Sequence, residues 1–225
     1  MTRILAIGGS VIKTAHDELR KVCQLGYIDV LIHCGGSLFH DFQRVTEKLE
    51  DHSYPLDSLL EDYEVNRPAS KLVWTWLEKG IAPENSVTNI CRQNNIQVML
   101  FTILGADFWQ LFDGRWYLFT NKTKLDFAEL CGILSKDNFH FINMGSAVIG
   151  PEVFTKALAV ANVSKLKNFR ADVVDFFPDM YRPKTRVAKY GKYFCMTHKE
   201  FFDTWLFFGD LFKLNEWCSM LEYFG

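Results

Sequence analysis

The sequence lacks the long apolar run that a membrane-spanning helix requires. No stretch of about 18 uninterrupted apolar residues occurs in the chain. The most apolar candidate, FFDTWLFFGDLF at 201–212, carries Asp203 and Asp210. The first residues lead directly into a short apolar strand, without the longer apolar region and cleavage site of a secretory signal. We therefore expect a cytoplasmic protein without a membrane partner.

The sequence is equally poor in signals for metal or nucleic-acid binding. Its six cysteines include no C-x-x-C pair and no nearby histidine at the spacing of a zinc site. The formal net charge is -2 at pH 7, so no long-range positive field favours nucleic acid. We expect no bound metal and reduced, mostly buried thiols at Cys23, Cys34, Cys91, Cys131, Cys195 and Cys218.

Strand and helix patterns alternate along the 225 residues, of which 48% are apolar and 23% charged. Parallel strands need long crossover connections, so this alternation predicts a parallel sheet. We predict one α/β domain over residues 1–225, with a doubly wound, mostly parallel sheet and helices on both faces. The predicted strands are 3–7, 28–34, 96–104, 139–144, 171–176 and 190–196.

Helical spacing and turn residues divide the rest of the chain. The polar, acidic segment 51–68 is predicted to be a loop or a mobile lid. The segment DGRWYLF at 113–119 is predicted to form a small hairpin arm. Residues 198–225 are predicted to form two aromatic-rich helices, 198–208 and 214–224. The other predicted helices are 11–25, 37–49, 70–79, 83–94, 125–135 and 151–161.

Three strands end alike, in LAIGGS at 5–10, IHCGGS at 32–37 and INMGSA at 142–147. Ligands of doubly wound sheets lie outside the carboxyl ends of the strands, and glycine lets the backbone approach a ligand closely. Helix N-termini behind these turns favour an anion such as a pyrophosphate. The predicted cofactor-binding residues from this pattern are Gly8, Gly9, Ser10, Gly35, Gly36, Ser37, Gly105, Gly145 and Ser146.

A purely structural interpretation of these turns stays open. Short strand-to-helix turns favour glycine and a capping serine whether or not a ligand binds. The standard dinucleotide fingerprint G-x-G-x-x-G is absent, because the first turn reads GGSVIK. The sequence therefore does not predict the standard Rossmann geometry.

Few ionisable residues follow the predicted strands. His40 lies one helical turn after Gly36 and could serve as a general acid or base, or could simply bond the backbone. Asp107 follows Gly105 and is the second catalytic candidate. Asp175 ends a strand, where it could bind ribose hydroxyls or be solvated. No Ser-His-Asp arrangement stands out.

Several segments resemble deoxyhypusine synthase and its relatives. They are GYIDVLIHCGGSLFHDFQ at 26–43, SVTNICRQNNIQVML at 86–100, FINMGSAVIGPEVFTKAL at 141–158 and YRPKTRV at 181–187. The relatives include the NAD-binding domain of archaeal-type ornithine cyclodeaminases and a group of uncharacterised bacterial homologues, to which the likeness is greatest. The resemblance covers about residues 3–200.

This resemblance implies an NAD-binding parallel-sheet fold distinct from the standard Rossmann type, and a homotetramer with sites near subunit interfaces. It adds Thr88, Asn89, Thr102 and Ala147 to the expected cofactor contacts. One departure matters, because deoxyhypusine synthase forms a Schiff base on a lysine whose place here falls on Gly150. Lys156 lies about two helical turns further on.

The resemblance and the glycine turns together favour an NAD-dependent enzyme that acts on a small amine or amino acid, of the transferase or oxidoreductase (cyclodeaminase) type. Without the lysine it is not expected to be a deoxyhypusine synthase. In this hypothesis His40 shuttles a proton and Asp107 pairs with the substrate amine. The alternative is a non-catalytic nucleotide-binding or assembly protein. Hydrolysis of the nicotinamide bond is a third hypothesis.

Overall fold

Six parallel strands form the centre of the fold, in the order β3-β2-β1-β4-β5-β6. The structure is a computed structural model, and it describes residues 1–47, 63–102 and 115–209. The prediction of a doubly wound parallel sheet is confirmed. Its strands are β1 (Thr2–Ile7), β2 (Val30–Cys34), β3 (Gln97–Phe101), β4 (Phe139–Met144), β5 (Phe169–Asp175) and β6 (Tyr193–Cys195).

The strand order reverses between β1 and β4, which places the switch point of the sheet at their carboxyl ends. This order is the one found in dinucleotide-binding sheets that carry the G-x-G-x-x-G fingerprint. The expectation of a sheet distinct from the standard Rossmann type is therefore wrong for the strand order. The sequence of the first turn, GGSVIK, still departs from the fingerprint of those sheets.

Eight α-helices are described. They are α1 (Gly9–Thr14), α2 (His16–Gln24), α3 (Gly35–Glu47), α4 (Tyr63–Lys79), α5 (Val87–Gln93), α6 (Trp116–Leu134), α7 (Ile149–Val160) and α8 (His198–Gly209). Short 3-10 or π turns occupy Val163–Lys165, Pro183–Val187 and Ala188–Tyr190. In the described ranges, no helix is both long enough and apolar enough to cross a bilayer.

Three predicted elements differ from the structure. The single helix predicted over 11–25 is broken at Ala15, whose φ of -152° and ψ of 36° are not helical. The hairpin predicted at 113–119 is wrong, because α6 begins at Trp116. The segment 51–68 is helical from Tyr63 onward. Its other residues, 113–114 and the predicted helix 214–224 lie outside the described residues.

The sheet buries both of its faces, as expected for parallel strands. On one face, Leu5 and Ile7 belong to a buried cluster with residues of α1, α2, α5 and α8. On the other face, Ile4 and Ala6 belong to a cluster with residues of α6 and α7. The alternation along β1 thus distributes its side chains between two cores, each of which is covered by helices.

Helix α6 covers the free edge of β3 with polar side chains. The Asp126 carboxylate accepts a hydrogen bond from the Leu100 N–H at 2.7 Å, and the Thr123 hydroxyl donates to the Leu100 carbonyl at 3.1 Å. Lys122 donates to the Val98 carbonyl at 3.1 Å and forms an ion pair with Asp126. These contacts satisfy backbone groups that an open edge strand would leave available to another chain.

Candidate functional site

The glycine turns after β1 and β4 touch each other at the switch point. The Gly8 N–H donates to the Met144 carbonyl at 2.9 Å. A β-carbon on Gly8 would lie only 1.9 Å from the Gly145 carbonyl oxygen. Gly145 itself has a φ of +60°, which favours glycine. Two of the predicted turns are therefore in direct contact, and both require glycine for their geometry.

The turn after β2 has free space beside one residue, Gly36, and buries another, Ser37. A β-carbon on Gly36 would meet no atom within 4 Å. Ser37 is instead fully buried, and its hydroxyl donates to the Cys34 carbonyl at 3.0 Å. The same hydroxyl lies 3.0 Å from Nδ1 of His33. Gly36 thus has space beside it for a ligand, whereas the Ser37 hydroxyl is bonded inside the protein.

His40 lies beside the β1 turn. Its Cδ2 atom is 3.1 Å from the position of a β-carbon on Gly9, and its Nδ1 lies 3.2 Å from Oε1 of Gln43. Burial and, to a smaller extent, the charge of Lys13 lower the pKa of His40 to about 4, although the hydrogen bond to Gln43 opposes them. The imidazole is therefore neutral at pH 7 and is able to accept a proton. The structure brings this catalytic candidate to the predicted glycine turns.

A second histidine at this edge, His198, was not a candidate from the sequence. It is only 1% exposed, and its Nδ1 lies 3.1 Å from the Thr14 hydroxyl. That hydroxyl donates to the Ser10 carbonyl at 2.9 Å, so Nδ1 of His198 must carry the proton that joins the two side chains. Its Nε2 is then an acceptor, and it lies 3.0 Å from the position of a β-carbon on Gly145.

The Nε2 atom of His198 is buried and has no hydrogen-bond partner within the described part of the chain. Burial lowers the pKa of His198 to about 4. A buried neutral imidazole with a free acceptor at the switch point is a candidate general base. No sequence signal pointed to it, because His198 begins a helix far along the chain from the β1 turn.

Acidification from pH 7 to pH 5 will destabilise the protein. His33, His40 and His198 all have folded-state pKa values lowered to about 4, mainly by burial, against about 6.5 in an unfolded chain. The unfolded state therefore binds more protons between these values, and stability falls with pH by about 2 kcal/mol for each histidine. Urea unfolding at the two pH values measures the loss. In His198→Gln, the decrease in unfolding free energy between pH 7 and pH 5 should be smaller by the contribution of His198. An unchanged pH dependence in that variant would contradict the assignment.

Thr88, a predicted cofactor residue, belongs to a buried polar network. Its backbone N–H and its hydroxyl donate to the Asp41 carboxylate at 3.0 and 2.8 Å, and the Val87 N–H donates to the same carboxylate at 2.8 Å. Two histidines complete the network. Nε2 of His16 lies 3.3 Å from the Asp41 carboxylate, and Nε2 of His33 lies 3.4 Å from the Thr88 hydroxyl. The network joins α3 to the start of α5 beneath the carboxyl edge.

The other predicted cofactor residues that the structure describes have these surroundings. Asn89 is buried, and its side-chain amide donates to the Glu84 carbonyl at 2.8 Å. Ser146 is buried, and its hydroxyl accepts from the Gly150 N–H at 2.9 Å. Ala147 is half-buried in the turn after β4. Gly105 and Asp107 lie outside the described residues.

Asp175 is buried at the end of β5. Its carboxylate accepts a hydrogen bond from the Phe177 N–H at 3.2 Å. Burial raises the pKa of Asp175, and the backbone hydrogen bonds oppose that effect without cancelling it. The ring of Phe176 lies 5.6 Å from the ring of His198. Asp175 thus supports the loop that places an aromatic side chain beside the candidate base.

The described cysteines form no disulfide bond with one another. Cys23, Cys91 and Cys131 are buried, and the Cys23 and Cys91 sulfur atoms lie 3.6 Å apart. Cys34 is half-buried, and Cys195 is exposed. Over residues 1–47, 63–102 and 115–209, no group of three or more His, Cys, Asp or Glu side chains is arranged to hold a metal ion.

Several solved structures have a similar fold. A protein classed as LOR/SDH from Methanococcus maripaludis S2 has a TM-score of 0.57 and 14% identity, over 91% of this chain and 59% of that one. AgrE in ternary complex with ornithine and NAD+ has a TM-score of 0.59 and 14% identity, over 90% of this chain and 29% of AgrE. A structure described as deoxyhypusine synthase from Entamoeba histolytica has a TM-score of 0.50 and 13% identity, over 90% of this chain and 73% of that one.

Sequence comparison adds no closer assignment. No protein-family model matches the chain, and no curated protein sequence matches it. The chain spans 59% of the LOR/SDH protein and under a third of AgrE. At these identities the likeness extends to the fold alone, and at that level the predicted resemblance is confirmed: the chain shares a parallel-sheet fold with these three structures.

Proposed function

We propose that this chain binds NAD along the carboxyl edge of its sheet and acts as an NAD-dependent enzyme on a small amine or amino acid. The observation that carries the proposal is the meeting of the β1 and β4 glycine turns where the strand order reverses. Ligands of doubly wound sheets bind at that point. AgrE, of which 29% matches this chain with a similar fold, is solved with ornithine and NAD+.

The residues at the switch point fit a dinucleotide. Gly9, Ser10 and Gly36 are half-buried on neighbouring turns, and the space beside Gly36 is open. Helix α3 begins at Gly35, so its first N–H groups and the positive end of its dipole favour a pyrophosphate there. The Lys13 ammonium, which is near enough to His40 to lower its pKa, adds positive charge. The unpartnered Nε2 of His198 remains available for a hydrogen bond.

The histidines supply the proton chemistry in this proposal. NAD, when bound, supplies the hydride acceptor. As a hydride leaves the carbon that bears the nitrogen, the N–H proton of the substrate passes to a neutral histidine and an imine forms, which then cyclises or hydrolyses. We assign the general-base role to His198 and the proton-shuttle role to His40. The role of Asp107 as partner of the substrate amine stays a prediction.

The contacts of α7 argue against a lysine Schiff base at position 150. A β-carbon on Gly150 would lie 2.1 Å from Oδ1 of Asn143, so no longer side chain fits there without rearrangement. Lys156 forms an ion pair with Glu152 at 3.0 Å, and its side chain is 67% exposed. These contacts support an enzyme that differs from deoxyhypusine synthase in its chemistry.

A non-catalytic nucleotide-binding or assembly protein is the second candidate. The aromatic side chains after β5 favour it, because Phe176, Phe177 and Tyr181 are 42%, 56% and 73% exposed. Exposed apolar groups of this size often mark interaction surfaces. An assembly role, including the homotetramer that the family resemblance implies, predicts nucleotide binding without turnover.

Saturating NAD will raise the thermal unfolding midpoint of the wild-type protein, and Gly36→Val will remove most of that shift. At about a hundred times the dissociation constant, a native-state ligand adds about 2.7 kcal/mol of stability. A β-carbon at position 36 would meet no protein atom within 4 Å, so we expect the valine side chain to occupy the open space beside Gly36 that the ligand needs. Differential scanning fluorimetry with and without NAD measures both shifts.

Gly132→Val is the matched control, because its β-carbon also meets no atom and α6 holds it away from the glycine turns. It should keep the full shift. An absence of any shift in the wild type at millimolar NAD would overturn the cofactor assignment. Incubation with NAD and a panel of amines that includes ornithine, followed by chromatography, then tests turnover. Binding without consumption of any amine would favour the assembly candidate.

A further inference from the structure

A cavity of about 420 Å³ lies between α6 and α7, where β3 ends. This volume falls within the range of small-molecule sites, about 300–1,000 Å³. Its walls are mainly apolar and aromatic, with Phe101 from β3, Phe119 and Phe127 from α6, and Val153 from α7. Walls of this kind suit a flat heteroaromatic ring, because aromatic rings stack on one another and exclude water.

One polar group in the cavity wall has no partner. Of three threonines that line the cavity, Thr120 and Thr123 donate to backbone carbonyls. The Thr102 hydroxyl oxygen is buried, and it forms no hydrogen bond within the described ranges. An unsatisfied buried hydroxyl is destabilising, so a ligand that supplies a ring nitrogen or an amino group would be favoured here.

The mouth of the cavity carries excess positive charge. Glu152 lines it and forms ion pairs with Arg182 at 3.2 Å and with Arg186. These two arginines more than neutralise the one carboxylate. The hydrogen bond from Lys156, followed by the contacts of Arg186, holds the pKa of Glu152 below its ordinary value, although burial opposes them. Lys124 and Lys156 add two further ammonium groups to the rim. The mouth therefore favours an anion such as a phosphate.

We propose that this cavity binds the adenosine monophosphate half of the dinucleotide. The base lies among the phenylalanines with a hydrogen bond to Thr102, and the phosphate meets Lys124 and Lys156. The inference rests on the proposed NAD binding and names the subsite. Helix α7, which forms one wall, starts two residues after the β4 turn at Ala147, so the cavity continues from the same edge of the sheet.

Isothermal titration with AMP as the probe tests the subsite directly. Thr102→Val keeps the shape of the side chain and removes the hydroxyl, so AMP affinity should fall by about tenfold, whereas Thr102→Ser should retain it. Lys124→Gln should weaken AMP several-fold, and more so at low salt. Lys165→Gln, an exposed lysine that does not line the cavity, is the matched control and should leave the affinity unchanged.

Val153→Trp fills the cavity, and the thermal unfolding midpoint of each variant verifies that it still folds. The proposal expects AMP to compete with NAD, and expects both Thr102→Val and Val153→Trp to weaken NAD. If NAD binds with unchanged affinity in folded cavity variants, the subsite is wrong and the proposed function stands. If AMP binds through Thr102 but NAD does not bind, the cavity is a site for a mononucleotide and the proposed NAD-dependent function falls. No AMP binding to the wild type overturns the subsite.

Discussion

Gly8→Ala will destabilise the protein by about 3 kcal/mol or more, because the new methyl group has no room. Its carbon would lie 1.9 Å from the Gly145 carbonyl oxygen and 2.5 Å from the carbonyl carbon. Both of those atoms belong to backbone, which cannot rotate away as a flexible side chain can. Relief requires the β1 and β4 turns to separate. Because the Gly8 N–H also donates to the Met144 carbonyl, separation breaks that hydrogen bond.

Urea unfolding followed by circular dichroism measures this loss as a lower midpoint with an unchanged slope. Gly36→Ala is the control, since its β-carbon meets nothing and alanine favours the helix in which it lies. We expect Gly36→Ala to unfold within about 0.5 kcal/mol of the wild type or slightly later. Equal midpoints for Gly8→Ala and the wild type would show that the two turns are not in contact.

The sheet could be predicted from the sequence because its strands are buried on both faces. All six positions of β4 are buried, and the predicted bounds 139–144 match the strand. Apolar runs between helical patterns are then visible without knowledge of any contact. The glycines at the strand ends could also be found from the sequence. Gly145 is needed for its own positive φ, whereas Gly8 is needed because the neighbouring β4 turn lies against it.

Features that depend on distant contacts could not be predicted in this way. The aromatic run at 116–119 favours a strand by composition. In the structure it lies in helix α6, and the ring centroids of Phe119 and Trp74 are 4.9 Å apart. His198 becomes a site candidate only through Thr14, which is 184 residues away in the chain. The cavity around Thr102 and the charges at its mouth could not be predicted either. They depend on the packing of α6 against α7, which local sequence patterns do not indicate.

Asp41→Ala will destabilise the protein by about 3–5 kcal/mol, the range for removing one partner from a buried charged network. The Asp41 side chain is fully buried and accepts three hydrogen bonds from Val87 and Thr88 at 2.8–3.0 Å. Nε2 of His16 lies 3.3 Å from the same carboxylate. Removal leaves these donors buried without partners, and unmet buried donors are costly. The start of α5 also loses the negative charge that complements its dipole.

Comparison of Asp41→Ala with Asp41→Asn separates the charge from the shape of the side chain. Asparagine fills the same space, but its amide group points a donor at a donor, so it should lose nearly as much stability. Asp17→Ala is the control, because the Asp17 side chain is 57% exposed and its ion pairs are worth little. Urea unfolding at pH 7 measures all three, and a loss below about 1 kcal/mol for both Asp41 variants would contradict the network.

The direction of the pKa shift of Asp41 determines how its contribution to stability changes with pH. Burial alone raises the pKa of Asp41, but the hydrogen bond from His16, the nearby imidazoles of His33 and His16, and the Thr88 N–H together hold it below its ordinary value. A carboxylate with a lowered folded-state pKa stabilises the protein above the unfolded value of about 3.9, and this contribution is lost as the pH falls through the folded value. The difference in unfolding free energy between wild type and Asp41→Asn should therefore be full at pH 7 and shrink below about pH 4. A difference that grew on acidification would mean that the Asp41 carboxyl is protonated in the native network, which its three N–H and O–H donors oppose.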